Sequence, residues 1–142
     1  MRKEINQYIA EEYRYAVTKM QELQQPNKKL FYFSVFFGVA QRALNLEWNT
    51  DLALVHMITQ NIHTQLNSTM QMPGTMNLLP LDWSLIYDKL TQSSSDLASY
   101  FEEADKERSK EELYRIFGCF AEIAYAITGN GSYLHEKGLL KL

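Results

Sequence analysis

The sequence predicts an all-α fold, an antiparallel up-and-down bundle of four to five long helices followed by a short C-terminal helix or tail. Apolar residues recur at steps of three and four along most of the chain, which places them on one face of a helix. Breakers are scarce, with six Gly and three Pro in 142 residues. There is no internal repeat or linker, and the length suits one domain. We therefore expect a single helical-bundle domain over residues 1–142.

The first helix is predicted over residues 3–24. It ends before Pro26, because proline disfavours the helical conformation in the residue that precedes it. Its apolar face consists of residues at helical spacing, namely Ile5, Ile9, Tyr13, Ala16, Met20 and Leu23.

The second helix is predicted over residues 28–46, with Asn27 as its N-cap. Its aromatic first half, residues 30–37, also suits a buried strand, because aromatic and β-branched side chains favour strands locally. The apolar pattern continues to Leu44 without a turn signal, which favours the helix.

The third helix is predicted over residues 51–70 and is opened by Asn49 or Thr50, both of which are good N-caps. Its apolar face repeats at helical spacing and consists of Leu52, Val55, Ile58, Ile62, Leu66 and Met70.

A loop is predicted over residues 72–80, which contain two prolines and a glycine. We expect it to be the most protease-sensitive interior segment. A fourth helix follows over Asp82–Asp105, and the serine run at 93–96 is a possible interruption, with Asp96 capping a second segment. The expected core face of this helix comprises Trp83, Ile86, Leu90, Leu97, Phe101 and Ala104.

The fifth helix has the clearest boundary signals. Ser109 and Glu112 form a capping box at its start, and Gly129 is a C-terminal stop. The tail at 132–142 is expected to be a short docking helix or an extended tail. The apolar face of the fifth helix comprises Leu113, Ile116, Phe117, Phe120, Ala124 and Ile127.

Charge and cysteine content limit the function classes. The net charge of −3 and the pI near 5.6 disfavour nucleic-acid binding, which needs clustered Lys and Arg. Cys119 is the single cysteine, so neither an internal disulfide nor a cysteine zinc cluster is expected. Charged residues follow Met1 directly, and the apolar segment at 30–40 is about half the length that spans a bilayer. We expect a cytoplasmic protein without a membrane partner.

No metal or cofactor site is predicted. The Glu-x-x-His motifs of di-iron bundles are absent. His56 and His63 are seven residues apart, so they share one helix face at a separation of about 10 Å, too far to chelate one ion alone. We interpret them as boundary histidines beside Gln60 and Asn67, and His135 as an exposed residue of the tail.

No catalytic residue is predicted either. Cys119 lies inside a helix, away from the N-terminal position that lowers a thiol pKa. The glycine-rich segment at 129–132 is interpreted as a helix stop followed by a cap, not as a phosphate cradle. Adjacent carboxylates on a helix diverge by about 100°, so three pairs are expected on the surface: Glu11–Glu12, Glu102–Glu103 and Glu111–Glu112.

Two glycines, Gly38 and Gly118, lie in predicted helix interiors, where each costs about 1 kcal/mol relative to alanine. Close approach of a neighbouring helix is the favoured explanation. Room for a ligand and neutral substitution are the alternatives.

Two helical families show a limited resemblance. Residues 33–46, an apolar run followed by Gln-Arg-Ala-Leu, resemble the second helix of HEPN domains. Those domains carry an Arg with a His four to six residues later, whereas Arg42 and His56 are further apart. Cobalamin adenosyltransferases are similar in size and all-helical, but their Gly/Thr-rich nucleotide segment has no counterpart in this sequence. Neither resemblance assigns an activity, because a shared bundle fold does not carry function.

The second helix is apolar around well over half of its circumference. One face contains Phe33, Phe36, Phe37, Ala40 and Leu44, and an adjoining face contains the interface candidates Tyr32, Val35, Val39 and Leu46. An ordinary surface helix has one apolar stripe. The helix is therefore either central to the bundle or part of a self-association interface, as in a homodimer.

The leading functional hypothesis is a non-enzymatic bundle that associates with itself or with another protein. The alternatives are a small-molecule-binding or enzymatic bundle and an accessory protein of a nucleic-acid system.

Overall fold

A computed structural model describes residues 2–71, 83–103 and 110–127, and the side chains of 7–67, 84–103 and 110–127. The described residues contain helices and no strand, so the all-α prediction is confirmed. The five helices are α1 (Arg2–Glu22), α2 (Pro26–Leu46), α3 (Thr50–Gln71), α4 (Trp83–Glu102) and α5 (Lys110–Ile127).

The helices pack in an order that differs from their order along the chain. α1 lies between α2 and α4, α2 also packs on α3, and α5 packs on α3 and α4. Among the described residues α3 therefore neighbours α5 rather than α4, and the five helices close a ring in the order α1, α2, α3, α5, α4. A smaller contact joins α2 and α4 across this ring.

Side-chain contacts give the direction of the first helices. Lys29 of α2 bonds to Met20 of α1, and Arg42 further along α2 bonds to Tyr8 nearer the start of α1. These two helices therefore run in opposite directions. α2 and α3 also run in opposite directions, because Ser34 of α2 meets His63 of α3, whereas Gln41, further along α2, meets the earlier His56. The antiparallel arrangement of the other pairs stays a prediction.

Aromatic packing joins α1, α2 and α4 in the core. The ring of Tyr13 stacks on Phe36 with centroids 3.9 Å apart, and it meets Phe101 edge-on at 5.8 Å. Burial raises the pKa of the Tyr13 phenol, because the phenolate would lose its hydration. Residues 30–37 lie within the helix α2, so the strand alternative is wrong.

Several predicted boundaries need correction. α1 ends at Glu22, and Pro26 is the first residue of α2. Proline suits that position, because its fixed φ matches a helix and its missing N–H has no partner to lose. Gln25, not Asn27, is therefore the N-cap, and its side chain makes no cap hydrogen bond. Asn49 does cap α3, since its Oδ1 accepts from the Leu52 N–H at 3.0 Å.

Two questions that the sequence left open are answered among the described residues. α4 runs through 93–96 without the possible interruption, and Ser93 and Ser94 are buried in it. Close helix approach, the favoured explanation of the helical glycines, does not account for them, because a Cβ added at Gly38 or Gly118 meets no described atom within 4 Å.

Some predictions concern parts of the chain outside the described residues. They are the loop 72–80, the Asp82 cap, the Ser109 half of the capping box, the Gly129 stop, the segment 129–132, the tail 132–142 and His135. Within the described part of the chain, no helix combines the length and the apolar character that crossing a bilayer requires.

Candidate interaction surface

The four interface candidates on α2 do not share one surface. Tyr32 and Val35 are half-buried at the edge of the core, and Leu46 is 64% exposed at the end of the helix. Val39 is only 3% exposed and belongs to the core of the chain. Val39 is therefore not available to a partner, and the predicted face divides into a buried and an exposed part.

Three aromatic side chains of α1 and α2 form the aromatic surface, defined here as Tyr15, Phe31 and Tyr32. Tyr32 lies in the middle, with its ring edge-on to Tyr15 at 6.3 Å and to Phe31 at 5.0 Å. Tyr15 and Phe31 are 51% and 61% exposed. The Lys19 ammonium lies 5.9 Å from the Tyr15 ring, within the range of a cation–π contact.

A groove of about 370 Å³ adjoins the aromatic surface where α1 ends and α2 begins. Its lining combines apolar side chains with groups of both charges, and Lys19 and Glu22 on its α1 side approach to 3.7 Å. The residues that line it are Lys19, Glu22, Leu23, Lys28, Phe31 and Tyr32.

Helix geometry explains this surface. Leu30 and Phe33 point into the core, and each residue of a helix is rotated by about 100° from the one before. Phe31 therefore faces outward, and Tyr32 lies at the boundary. Phe31 was not among the predicted interface residues, because a helical wheel gives angles but not the positions of neighbouring helices. The signal was an aromatic residue directly after the inward-facing Leu30.

A second exposed apolar pair, Leu46 and Trp48, lies at the turn between α2 and α3. At 1.5 Å per residue, Leu46 is about 22 Å along α2 from Phe31. This pair is therefore separate from the aromatic surface.

The two histidines of α3 both stack on Phe37 of α2. The Phe37 ring lies 4.5 Å from the His56 imidazole and 4.7 Å from that of His63, with interplanar angles of 18° and 4°. We define the histidine seam as Ser34, Phe37 and Gln41 of α2 together with His56 and His63 of α3. Both histidines were predicted on one face of helix 3, and in the structure this face contacts α2.

Hydrogen bonds fix both imidazoles. His63 Nε2 lies 2.8 Å from the Ser34 Oγ and 2.9 Å from the Asn67 Nδ2. His56 Nε2 lies 3.0 Å from the Gln41 Oε1. Burial lowers the pKa of both imidazoles, because the charged form would lose hydration.

The residues that the structure describes contain no group of three or more His, Cys, Asp or Glu side chains placed to hold a metal ion. Cys119 is half-buried and lines a shallow groove of about 120 Å³ with polar residues of α4. Glu102 and Glu112 accept bonds from Arg14 and Arg115, so these two members of the carboxylate pairs belong to surface ion pairs.

The molecule is thus an all-helical bundle with an exposed aromatic surface and a histidine-lined helix contact. Comparisons with protein-family models, curated proteins and solved structures found no match for this chain.

Proposed function

We propose that the protein acts by association with a second copy of itself through the aromatic surface. The exposure of Phe31 carries this proposal, because this large apolar ring contacts the Tyr32 ring and yet remains open to solvent on 61% of its surface. Exposed apolar clusters of this kind mark interaction sites. Aromatic side chains are also enriched in the buried centres of protein interfaces.

The groove beside the rings supports a second copy as the partner. Two-fold dimers are the commonest oligomers, and they bury the same patch on both subunits. Such a patch must be compatible with itself. Lys28 and Glu22 line the same groove with opposite charges, so two copies have cations and carboxylates to place opposite one another.

Sedimentation velocity between micromolar and millimolar concentration tests the proposal. The wild-type chain is expected to dimerise, and Phe31→Ser is expected to weaken dimerisation at least tenfold, about 1.4 kcal/mol. Tyr114→Ser is the matched control, because Tyr114 is an aromatic residue of α5 that is 60% exposed and lies outside the aromatic surface. Circular dichroism should show that both variants stay folded, because their side chains face solvent.

Two outcomes would overturn the proposal. One is a wild-type chain that is monomeric at the highest concentration, and the other is an equal effect of Phe31→Ser and Tyr114→Ser. Val39→Glu is not a suitable test, because a charge at this buried position unfolds the chain. Leu46→Ser tests whether the separate exposed pair at the α2–α3 turn, Leu46 and Trp48, takes part in dimerisation.

A further inference from the structure

The histidine seam has hydrogen bonds that suit neutral imidazoles. The Asn67 Nδ2 donates to the His63 main-chain O at 3.0 Å and lies 2.9 Å from the His63 Nε2. Because an amide nitrogen carries two hydrogens, it serves both acceptors at once. With the ring proton on Nδ1, the His63 Nε2 lone pair accepts from Asn67, while the Ser34 hydroxyl 2.8 Å away donates to the Leu30 main-chain O at 3.0 Å.

His56 suits the neutral form for a different reason. Its Nε2 donates to the Gln41 Oε1 at 3.0 Å, so the lone pair is on Nδ1. This Nδ1 is buried without a hydrogen-bond partner among the described residues. The whole residue is only 7% exposed. A proton added at Nδ1 would create a buried N–H with no acceptor, which is costly for a charged group.

Among the described residues, no hydrogen bond or ion pair joins a carboxylate to His56 or His63, whose side-chain partners are Ser34, Gln41 and Asn67. The only carboxylate on α3 that the structure describes is Asp51 at its first turn, and α2 has none. The other titratable or charged residues on α2, on the turn after it and on α5 are Lys28, Lys29, Tyr32, Arg42, Glu47, Lys110, Glu111, Glu112, Tyr114, Arg115, Cys119, Glu122 and Tyr125.

We infer that the histidine seam is an acid-sensitive contact, which holds α2 against α3 while both imidazoles are neutral and loosens when they are protonated. An imidazolium gains some attraction to the Phe37 ring, and the Nε2–H of a charged His63 can donate to the Ser34 Oγ 2.8 Å away. These gains are opposed by the lost bond from Asn67, by the unpaired N–H of His56 and by repulsion between two cations whose rings are no more than about 9 Å apart.

The direction of the pH effect follows from the lowered pKa of both imidazoles. The unfolded chain takes up protons near pH 6.5, but the folded chain does so only at lower pH. The stability is therefore complete above about pH 6.5 and is lost as the pH falls through the folded pKa. At pH 5.5 each histidine raises the unfolding constant by at most about tenfold, and both together by about a hundredfold.

Urea unfolding at pH 7.5 and pH 5.5, at constant ionic strength, measures this effect. The wild-type unfolding constant should rise more between these pH values than that of the double variant His56→Gln, His63→Gln. His135→Gln is the control, because it removes a histidine that is not part of the seam. Amide exchange at pH 5.5 should accelerate in α2 and α3 before α4.

A nuclear magnetic resonance titration of the wild-type imidazoles tests the inference even if the double variant does not fold. Both rings should titrate below pH 6.5. Titration at or above pH 6.5, or an equal pH dependence in the wild type and the double variant, would overturn the inference. The titration does not involve the aromatic surface, so its result can overturn the acid-sensitive seam without affecting the dimer proposal.

Discussion

The Nζ of Lys29, near the start of α2, donates a 2.6 Å hydrogen bond to the main-chain O of Met20 in the last turn of α1. The last four carbonyls of a helix have no partner inside the helix, and a cation at this end also complements the helix dipole. Lys29 is only 8% exposed. This bond therefore closes the turn between the first two helices from the inside.

Replacing Lys29 by Met should destabilise the fold. The methionine fills a similar volume but leaves the Met20 carbonyl without its charged donor, a loss of about 1–2 kcal/mol in the free energy of unfolding. Urea denaturation measures this change as a lower midpoint at an unchanged m value.

Lys28→Met is the matched control at a protein concentration where the chain is monomeric, because Lys28 is the adjacent residue and is exposed. Its effect should stay within about 0.5 kcal/mol, as is usual for surface positions. If the two substitutions have equal effects, the Lys29 bond contributes nothing specific to the turn.

The residues of this turn show what the sequence predicted and what it did not. The spacing of apolar residues and the few breakers predicted the helices to within a few residues. The role of Lys29 was not predicted, because it depends on where α1 ends relative to α2. The same limit applies to Phe31, whose exposure is decided by the position of α1 beside it.

The histidine seam shows a second limit. A spacing of seven residues correctly placed His56 and His63 on one face of a helix. That Phe37 stacks on both rings depends on the register between α2 and α3, and periodicity within one helix carries no register information. The order of packing, with α3 beside α5, is likewise a tertiary property.

The Arg14–Glu102 pair joins α1 to α4, and its geometry predicts a measurable coupling. The Arg14 Nε and Nη2 donate to the two carboxylate oxygens at 3.0 and 2.8 Å. The same guanidinium donates to the hydroxyls of Ser95 and Ser99. Because the two side chains are 32% and 40% exposed, solvent screens the pair, and a coupling of about 0.5–1 kcal/mol is expected.

A double-mutant cycle with Arg14→Gln and Glu102→Gln measures this coupling. The control is the cycle at Arg115 and Glu112, a more exposed pair within α5, where about 0.3–0.5 kcal/mol is expected. Both couplings should decrease in high salt. A zero coupling between Arg14 and Glu102 at low salt would show that the two helices do not depend on this pair.

The helical glycines give the last prediction, in which a substitution stabilises the fold. Within the part of the chain that the structure describes, an alanine Cβ at Gly118 on α5 or at Gly38 on α2 meets no atom within 4 Å. Alanine restricts the unfolded chain more than glycine does, and it favours the helix by about 1 kcal/mol. Each single substitution should therefore raise the free energy of unfolding by about 0.5–1 kcal/mol, and the double variant should show the sum, since the two positions lie on different helices. Thermal denaturation measured at one protein concentration checks this as a higher melting temperature. A lower melting temperature for Gly118→Ala alone would show that α5 needs a glycine at that position. A partner bound to α5 would explain this result. A dimer formed through the aromatic surface of α1 and α2 would not.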